Sequence, residues 1–270
     1  MKRAILVAVL VAFAQALAAD KGSCVKAIER ANKAVSALAS TQAPVYAEVG
    51  LVAKEKKISF TRELGDGTYS VMAVGDDKAG PTFILSLKDS KGKELKKGKA
   101  VNEVFVQDVT LEAKDKTTVE LECEDANFDK THYIIVVLQK YEGAKVTSEV
   151  VFEHLAARAK AVEESGHQVV WAELDTLADG KPWTVTHKLD AGKHAFEIVG
   201  DDDRIKDFEV EVKDGSGQSV AKKEKAKEPK DGHLASLAGD AKAGDAKVTV
   251  TGVFQEGNKD SFAGVLIAKK

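Results

Sequence analysis

The sequence predicts a mainly β protein: two tandem antiparallel β-sandwich modules of jelly-roll or immunoglobulin-like type, each preceded by one amphipathic α-helix. Three observations lead there. Residues 45–92 align without a gap on residues 170–217 at 16 identities in 48 positions, against roughly three expected from average composition. Each copy opens with apolar residues at helical spacing. After each helix the period changes to two, in short runs separated by turn signals, which is the pattern of an antiparallel sandwich rather than a parallel α/β sheet.

In chain order, residues 1–19 begin with Lys2 and Arg3, continue as an apolar run from Ala4 to Ala14 and end in small residues through Ala19. That order is the grammar of a secretory signal peptide. The apolar run is shorter than the roughly 20 residues that span a bilayer, and Asp20 and Lys21 before Cys24 do not suit a lipid-modified cysteine. The expectation is an exported chain, periplasmic, cell-surface or extracellular, with no transmembrane segment after cleavage. Module 1 is assigned to residues 20–143 and module 2 to residues 144–270.

The first helix carries Cys24, Ile28, Ala31, Val35 and Leu38 on one face, and the second carries Phe152, Leu155, Ala159 and Val162. Strands are expected at 43–51, 57–63, 68–74, 83–88, 117–124 and 132–139 in copy one. Their counterparts in copy two are 168–176, 182–188, 193–199, 208–213, 247–255 and 261–268. The unbroken apolar run at 133–138 predicts a strand buried on both faces. Residues 104–111 also read as strand-like. Residues 221–246, rich in Lys, Ala, Gly and Asp, read as a long mobile loop: either a solvated face or a contact for a polyanion or acidic glycan.

The most literal part of the repeat is Val74-Gly75-Asp76-Asp77 and Val199-Gly200-Asp201-Asp202, each leading into a strand that closes on Asp89 to Gly92 or Asp214 to Gly217. An aspartate that bonds the backbone two residues on, followed by a glycine able to take positive φ, marks a tight turn. These stretches read as corners of a fold built twice.

Two cysteines in an exported chain predict one disulfide, Cys24 to Cys123, since the second copy lacks both. Closing a loop of about a hundred residues is worth roughly 4–5 kcal/mol in the chain-entropy model. For chemistry, Asp201, Asp202 and Asp203, with Asp207 close behind, form the densest carboxylate group. The alternatives are a weak calcium site, because calcium takes six to eight oxygens, and a solvated acidic turn. No other cofactor is expected. The six histidines show no metal-ligand spacing on a helix, and His187 and His194 read as cross-strand surface residues. There is no H-E-x-x-H, G-x-S-x-G or phosphate-cradling glycine loop. A net charge of −3 argues against nucleic acid as a partner.

Residues 188–220, with Leu189 and Gly192 in a hairpin, Gly200-Asp201, Asp207 leading an alternating strand, and Asp214 with Gly217 in a turn, resemble the pre-peptidase C-terminal type of β-sandwich domain. Copy one departs where Gly80-Pro81-Thr82 replaces the acidic lead-in. The resemblance implies a non-catalytic module that binds an envelope or extracellular polymer or protein, sometimes with calcium. The expectation is therefore a binding or structural protein. A calcium-assisted polysaccharide- or protein-binding module is the alternative, and a secreted hydrolase stands third.

Overall fold

The computed structural model describes residues 22–76, 78–140, 148–224 and 231–270; the expected leader, residues 1–19, lies outside them. The protein is mainly β, with two helices, α1 (Ser23–Leu38) and α2 (Glu149–Glu164), and sixteen strands among the described residues. Copy one contributes β1 (Gln42–Ala53), β2 (Lys56–Leu64), β3 (Gly67–Gly75), β4 (Thr82–Lys88), β5 (Glu94–Val101), β6 (Glu103–Leu111), β7 (Asp115–Asp125) and β8 (Lys130–Lys140). Copy two repeats the series as β9 (Gln168–Ala178), β10 (Trp183–Leu189), β11 (Gly192–Gly200), β12 (Ile205–Lys213), β13 (Ser219–Lys223), β14 (Leu234–Ala241), β15 (Gly244–Phe254) and β16 (Asp260–Lys269).

The copies share one sheet. Its eight strands run β14-β11-β16-β9-β1-β8-β3-β6, and two four-stranded sheets, β2-β7-β4-β5 and β10-β15-β12-β13, cover one face. The junction is the antiparallel pair β1/β9, in which Tyr46 stands opposite Asp175, Ala47 opposite Leu174, Glu48 opposite Glu173 and Val49 opposite Ala172. Glu48 and Glu173 are also equivalent in the repeat, so an approximate twofold axis passes through this pair.

Strand parity separates the cores. On β8, Ile134, Val136 and Leu138 face the helices, while Tyr133, Ile135 and Val137 face the small sheet of copy one. That double burial matches the apolar run read from the sequence. The helix-side core is common to both copies, joining Ile28, Ala31 and Val35 of α1 to Phe152, Leu155 and Ala159 of α2 over Ala47, Ala172 and Leu174. Each small sheet closes its own core, around Phe83, Leu85 and Leu121 in copy one and Phe208, Val210 and Val250 in copy two.

The repeated corners prove structural. A Cβ on Gly75 would stand 2.6 Å from Pro81 Cγ and 3.0 Å from the Phe83 ring, and one on Gly200 would stand 2.7 Å from Ile205 Cδ1 and 2.8 Å from Phe208. Glycine is required because the phenylalanine that anchors each small sheet packs onto its backbone. Asp89 Oδ1 accepts the N–H groups of Lys91 (2.9 Å) and Lys93 (2.8 Å), and Asp214 Oδ1 accepts those of Ser216 (2.9 Å) and Gln218 (3.1 Å).

Two expectations are corrected. Cys24 and Cys123 are free and buried. Cys24 belongs to the helix-side core and Cys123 to the small-sheet core of copy one, so the large sheet separates the two thiols and no disulfide joins them. Burial, and secondarily Glu163, pushes the Cys24 thiol well above its ordinary range. The expected loop 221–246 contains the end of β13, all of β14 and the start of β15. Strand β14 was hidden because its sequence, LASLAGDA, is poor in β-branched and aromatic residues. As an edge of the large sheet it needs only one apolar face. The Lys-rich β5 is an edge too, where lysines discourage pairing with other chains.

Two outcomes follow from this packing. Mass spectrometry of the non-reduced protein should find two free thiols, and a reducing agent should leave the melting temperature unchanged. Gly200→Ala should destabilise the fold by about 1–3 kcal/mol through overpacking against Phe208, measured by urea denaturation; a change within ~0.5 kcal/mol would show that the ring is free to move away.

Candidate functional site

The β1/β9 seam carries a group of polar side chains on the face covered by the small sheets. Alternation places Tyr46 and Glu48 of β1 and Trp171, Glu173 and Asp175 of β9 on that face, while Ala47, Val49, Ala172 and Leu174 point to the helices. The outer strands β2 and β10 of the two small sheets stand on either side. From β2, Arg62 lies over the Tyr46 ring, 4.2 Å from its centroid. From β10, His187 stacks on Trp171 at 4.7 Å. Tyr46 matches Trp171 in the repeat and Arg62 matches His187, so a nitrogenous group rests on an aromatic floor in each half.

The carboxylates are tied into one network. Glu48 accepts from the Tyr133 hydroxyl at 2.7 Å and from the Tyr46 hydroxyl at 3.2 Å, with the Trp171 indole close by. Arg62 donates to Asp175 and lies 3.6 Å from Glu173 Oε1. The halves also differ at Gly50 and its counterpart Asp175, and at the residues that face them. Copy one has Gly50, over which the Tyr133 ring lies. Copy two has Asp175 facing Ala263. Only copy one can therefore send a tyrosine hydroxyl to the axis, and only copy two sends a third carboxylate.

Three acids and one guanidinium share this seam. Burial raises the pKa of Glu48, against the lowering effect of its tyrosine hydrogen bonds. Burial likewise raises Asp175, opposed by Arg62. Glu173 is pushed from 4.5 to about 7, chiefly by burial, with Arg62 opposing and Asp175 and Glu48 reinforcing. Its side chain keeps 14% of its surface exposed, Asp175 keeps 20% and Arg62 keeps 30%. The network is thus largely buried, with part of the surface of Glu173, Asp175 and Arg62 left to solvent.

The residues singled out in sequence lie elsewhere. Asp201 is buried, its Oδ1 accepts the Asp203 N–H at 2.9 Å, and Arg204 Nε stands 3.8 Å from its Oδ2. Asp202 and Asp203 are exposed, with carboxylate oxygens of all three within 4.8 Å of one another. Asp207 does not join them: it is buried, accepts the Phe208 N–H at 2.8 Å and takes the Lys223 ammonium. The triplet is brought together, but Asp201 serves the turn. His187 and His194 are not two surface residues, since His194 is buried and its Nδ1 donates to Gly192 O at 2.9 Å. Strand reading missed the seam although Glu48 and Glu173 are identical across the repeat. The usable signal was parity: in YAEV and WAEL the glutamate shares the inward face of the aromatic residue two positions earlier.

No protein-family model and no curated protein matches the sequence. Among solved structures, the chain is similar to tandem CBM51 modules of a family 98 glycoside hydrolase from Streptococcus pneumoniae, at 7% identity and a TM-score of 0.28, over 81% of this chain and 83% of that one. It is also similar to PliG of Aeromonas hydrophila, a periplasmic inhibitor of g-type lysozyme, at 8% identity and a TM-score of 0.26, over 36% of this chain and 88% of that one. A third likeness is to a mitogen of Yersinia pseudotuberculosis, at 12% identity and a TM-score of 0.26, over 38% and 92%. These are distant likenesses and carry nothing about activity. No helix among the described residues is long and apolar enough to cross a membrane.

Because the folded pKa of Glu173 lies above its unfolded value, its contribution to stability is complete below about 4.5 and is lost as pH rises through about 7. Glu173→Gln should therefore gain stability relative to the parent as pH rises from about 5 to about 8, by at most about 3 kcal/mol. Chemical denaturation of both proteins at the two pH values measures the difference; one that does not vary with pH would exclude the assignment.

Proposed function

We propose that this chain is an exported, non-catalytic binding protein that holds an envelope or extracellular polymer or protein over the β1/β9 seam. The observation that carries the reading is the partly exposed group of Glu48, Glu173, Asp175 and Arg62 at the axis, beside the outer strands of the two small sheets. Such a surface offers carboxylate acceptors and a guanidinium donor at one spot, beside Trp171 and Tyr46. That combination suits a ligand with many hydroxyl or amide groups, because each can pair with a group already held in place and little ordering remains to be done on binding. The carboxylates are restrained by tyrosine and arginine partners, which favours fixed recognition over a nucleophile with its base. The resemblance of residues 188–220 to pre-peptidase C-terminal domains supports the same reading.

The test is retention of the chain lacking residues 1–19 on insoluble peptidoglycan, polysaccharide and collagen-like matrices. The protein should be retained on one of them, and Arg62→Ala should lower retention by about tenfold, the equivalent of one charged hydrogen bond, while keeping the parent's circular dichroism spectrum. No retention on any matrix, retention indifferent to Arg62→Ala, or release of soluble fragments from the matrix would each overturn the reading.

A further inference from the structure

At the helix-side rim of copy two, three metal-binding side chains converge from separate elements: His154 from α2, Asp202 from the turn between β11 and β12, and His233 from the turn before β14. One ligand atom of each lies within 4.8 Å of those of the other two, and the two imidazole rings stack with centroids 4.8 Å apart. We propose that His154, Asp202 and His233 form a three-ligand site for a divalent transition metal of the zinc class, holding α2 to the β11/β14 edge of the large sheet.

The strongest support is the second contact of His154. Its Nδ1 lies 3.0 Å from the carbonyl oxygen of Gly200, so Nδ1 carries the proton and Nε2 presents its lone pair. A ligating imidazole whose other ring N–H is given to a backbone carbonyl is the usual supporting arrangement in metal sites, because it fixes the tautomer and the ring direction. The same glycine anchors the second histidine, since the Gly200 N–H donates to His233 O at 2.9 Å. The His154 ring and the His233 backbone are therefore both held to one residue, against which Phe208 packs.

Copy one shows that the fold does not require these side chains. The buried faces of the helices match Ala27, Ile28, Ala31 and Val35 with Val151, Phe152, Leu155 and Ala159, which puts Arg30 in the place of His154. Arg30 Nη1 donates to Gly75 O at 2.8 Å, as His154 does to Gly200 O. The Gly75 N–H donates to Asn102 O at 2.8 Å, so Asn102 stands where His233 does. A donor to the glycine carbonyl is the structural need, and arginine meets it. Copy two meets it with a histidine, which leaves a free lone pair, and adds a second histidine where copy one has asparagine.

Two nitrogen donors and one carboxylate suit zinc or its neighbours, and suit calcium poorly, since calcium takes oxygen ligands. Ligand atoms around one zinc stand about 3.3 Å apart, so each side chain needs to close by at most about 1 Å, within reach of an exposed Asp202 and a His233 borne on a turn. Neighbouring cations are already paired: Arg158 Nε lies 3.7 Å from Glu197, and Arg204 faces Asp201 and Asp260. Three protein ligands leave a coordination position open for water or a ligand group.

The metals themselves are the probes. Chelator-treated protein should bind one equivalent of Zn²⁺ by calorimetry and melt higher with it, and Co²⁺ in its place should show visible ligand-field bands. His154→Arg and His233→Asn each install the side chain that copy one uses, so both should keep the fold and lose more than about 100-fold in zinc affinity, beyond the 10- to 100-fold typical of losing only a supporting hydrogen bond. Should one variant fail to fold, the other decides. Absence of stoichiometric zinc binding, zinc affinity unchanged in a folded variant, or a preference for Ca²⁺ over Zn²⁺ would overturn the proposal.

Discussion

The antiparallel contact of β1 with β9 sets the positions of nearly everything else. Because Glu48 faces Glu173 across it, and the two are the same residue of the repeat, one copy is turned onto the other as in a symmetric dimer, where a single patch meets itself. Here the two patches lie on one chain. The pairing merges what would be two exposed strand edges into the centre of an eight-stranded sheet, removing a template for association with other chains. It also brings α1 and α2 side by side on one face and leaves the small sheets apart on the other, with the seam between them.

Symmetry of this kind creates an electrostatic problem at its axis. Like charges directly opposite on neighbouring strands destabilise a sheet, and a glutamate on the axis must meet itself. The protein answers by departing from symmetry. Copy one supplies the Tyr133 hydroxyl and Arg62, copy two supplies the Trp171 indole, and the protonated fraction of Glu173 grows as its pKa approaches 7. The result is a stable junction that keeps charged and polar groups within reach of solvent. The rim follows the same logic: the backbone corner at Gly75 and Gly200 is common, while its side-chain donors, Arg30 and His154, differ. Function can diverge between copies where the frame asks only for a hydrogen-bond donor.

By itself the sequence determined what is local. The duplication, the helix faces, the central strands and the Asp-x-x-Gly turns are written in short-range patterns whose physics acts within a few residues: periodicity follows from side-chain direction, and turn chemistry from side chains that bond their own backbone. Burial on both faces of β8 was legible for that reason in the run from Tyr133 to Leu138. Edge strands such as β14 were not, because a strand bonded on one side tolerates Ala, Gly and Asp that composition assigns to loops.

Tertiary structure alone decided which distant residues meet. Cys24 and Cys123 looked like partners as the only two thiols of the chain, yet the large sheet runs between them, and no count of cysteines reports which face of a sheet each occupies. The merger of the copies through β1 and β9, the meeting of Glu48, Arg62 and Asp175, and the convergence of His154, Asp202 and His233 all join residues far apart in the chain. Their proximity arises from register between strands and from helix packing over a shared core, which are set by the sum of many apolar contacts rather than by any motif at the site.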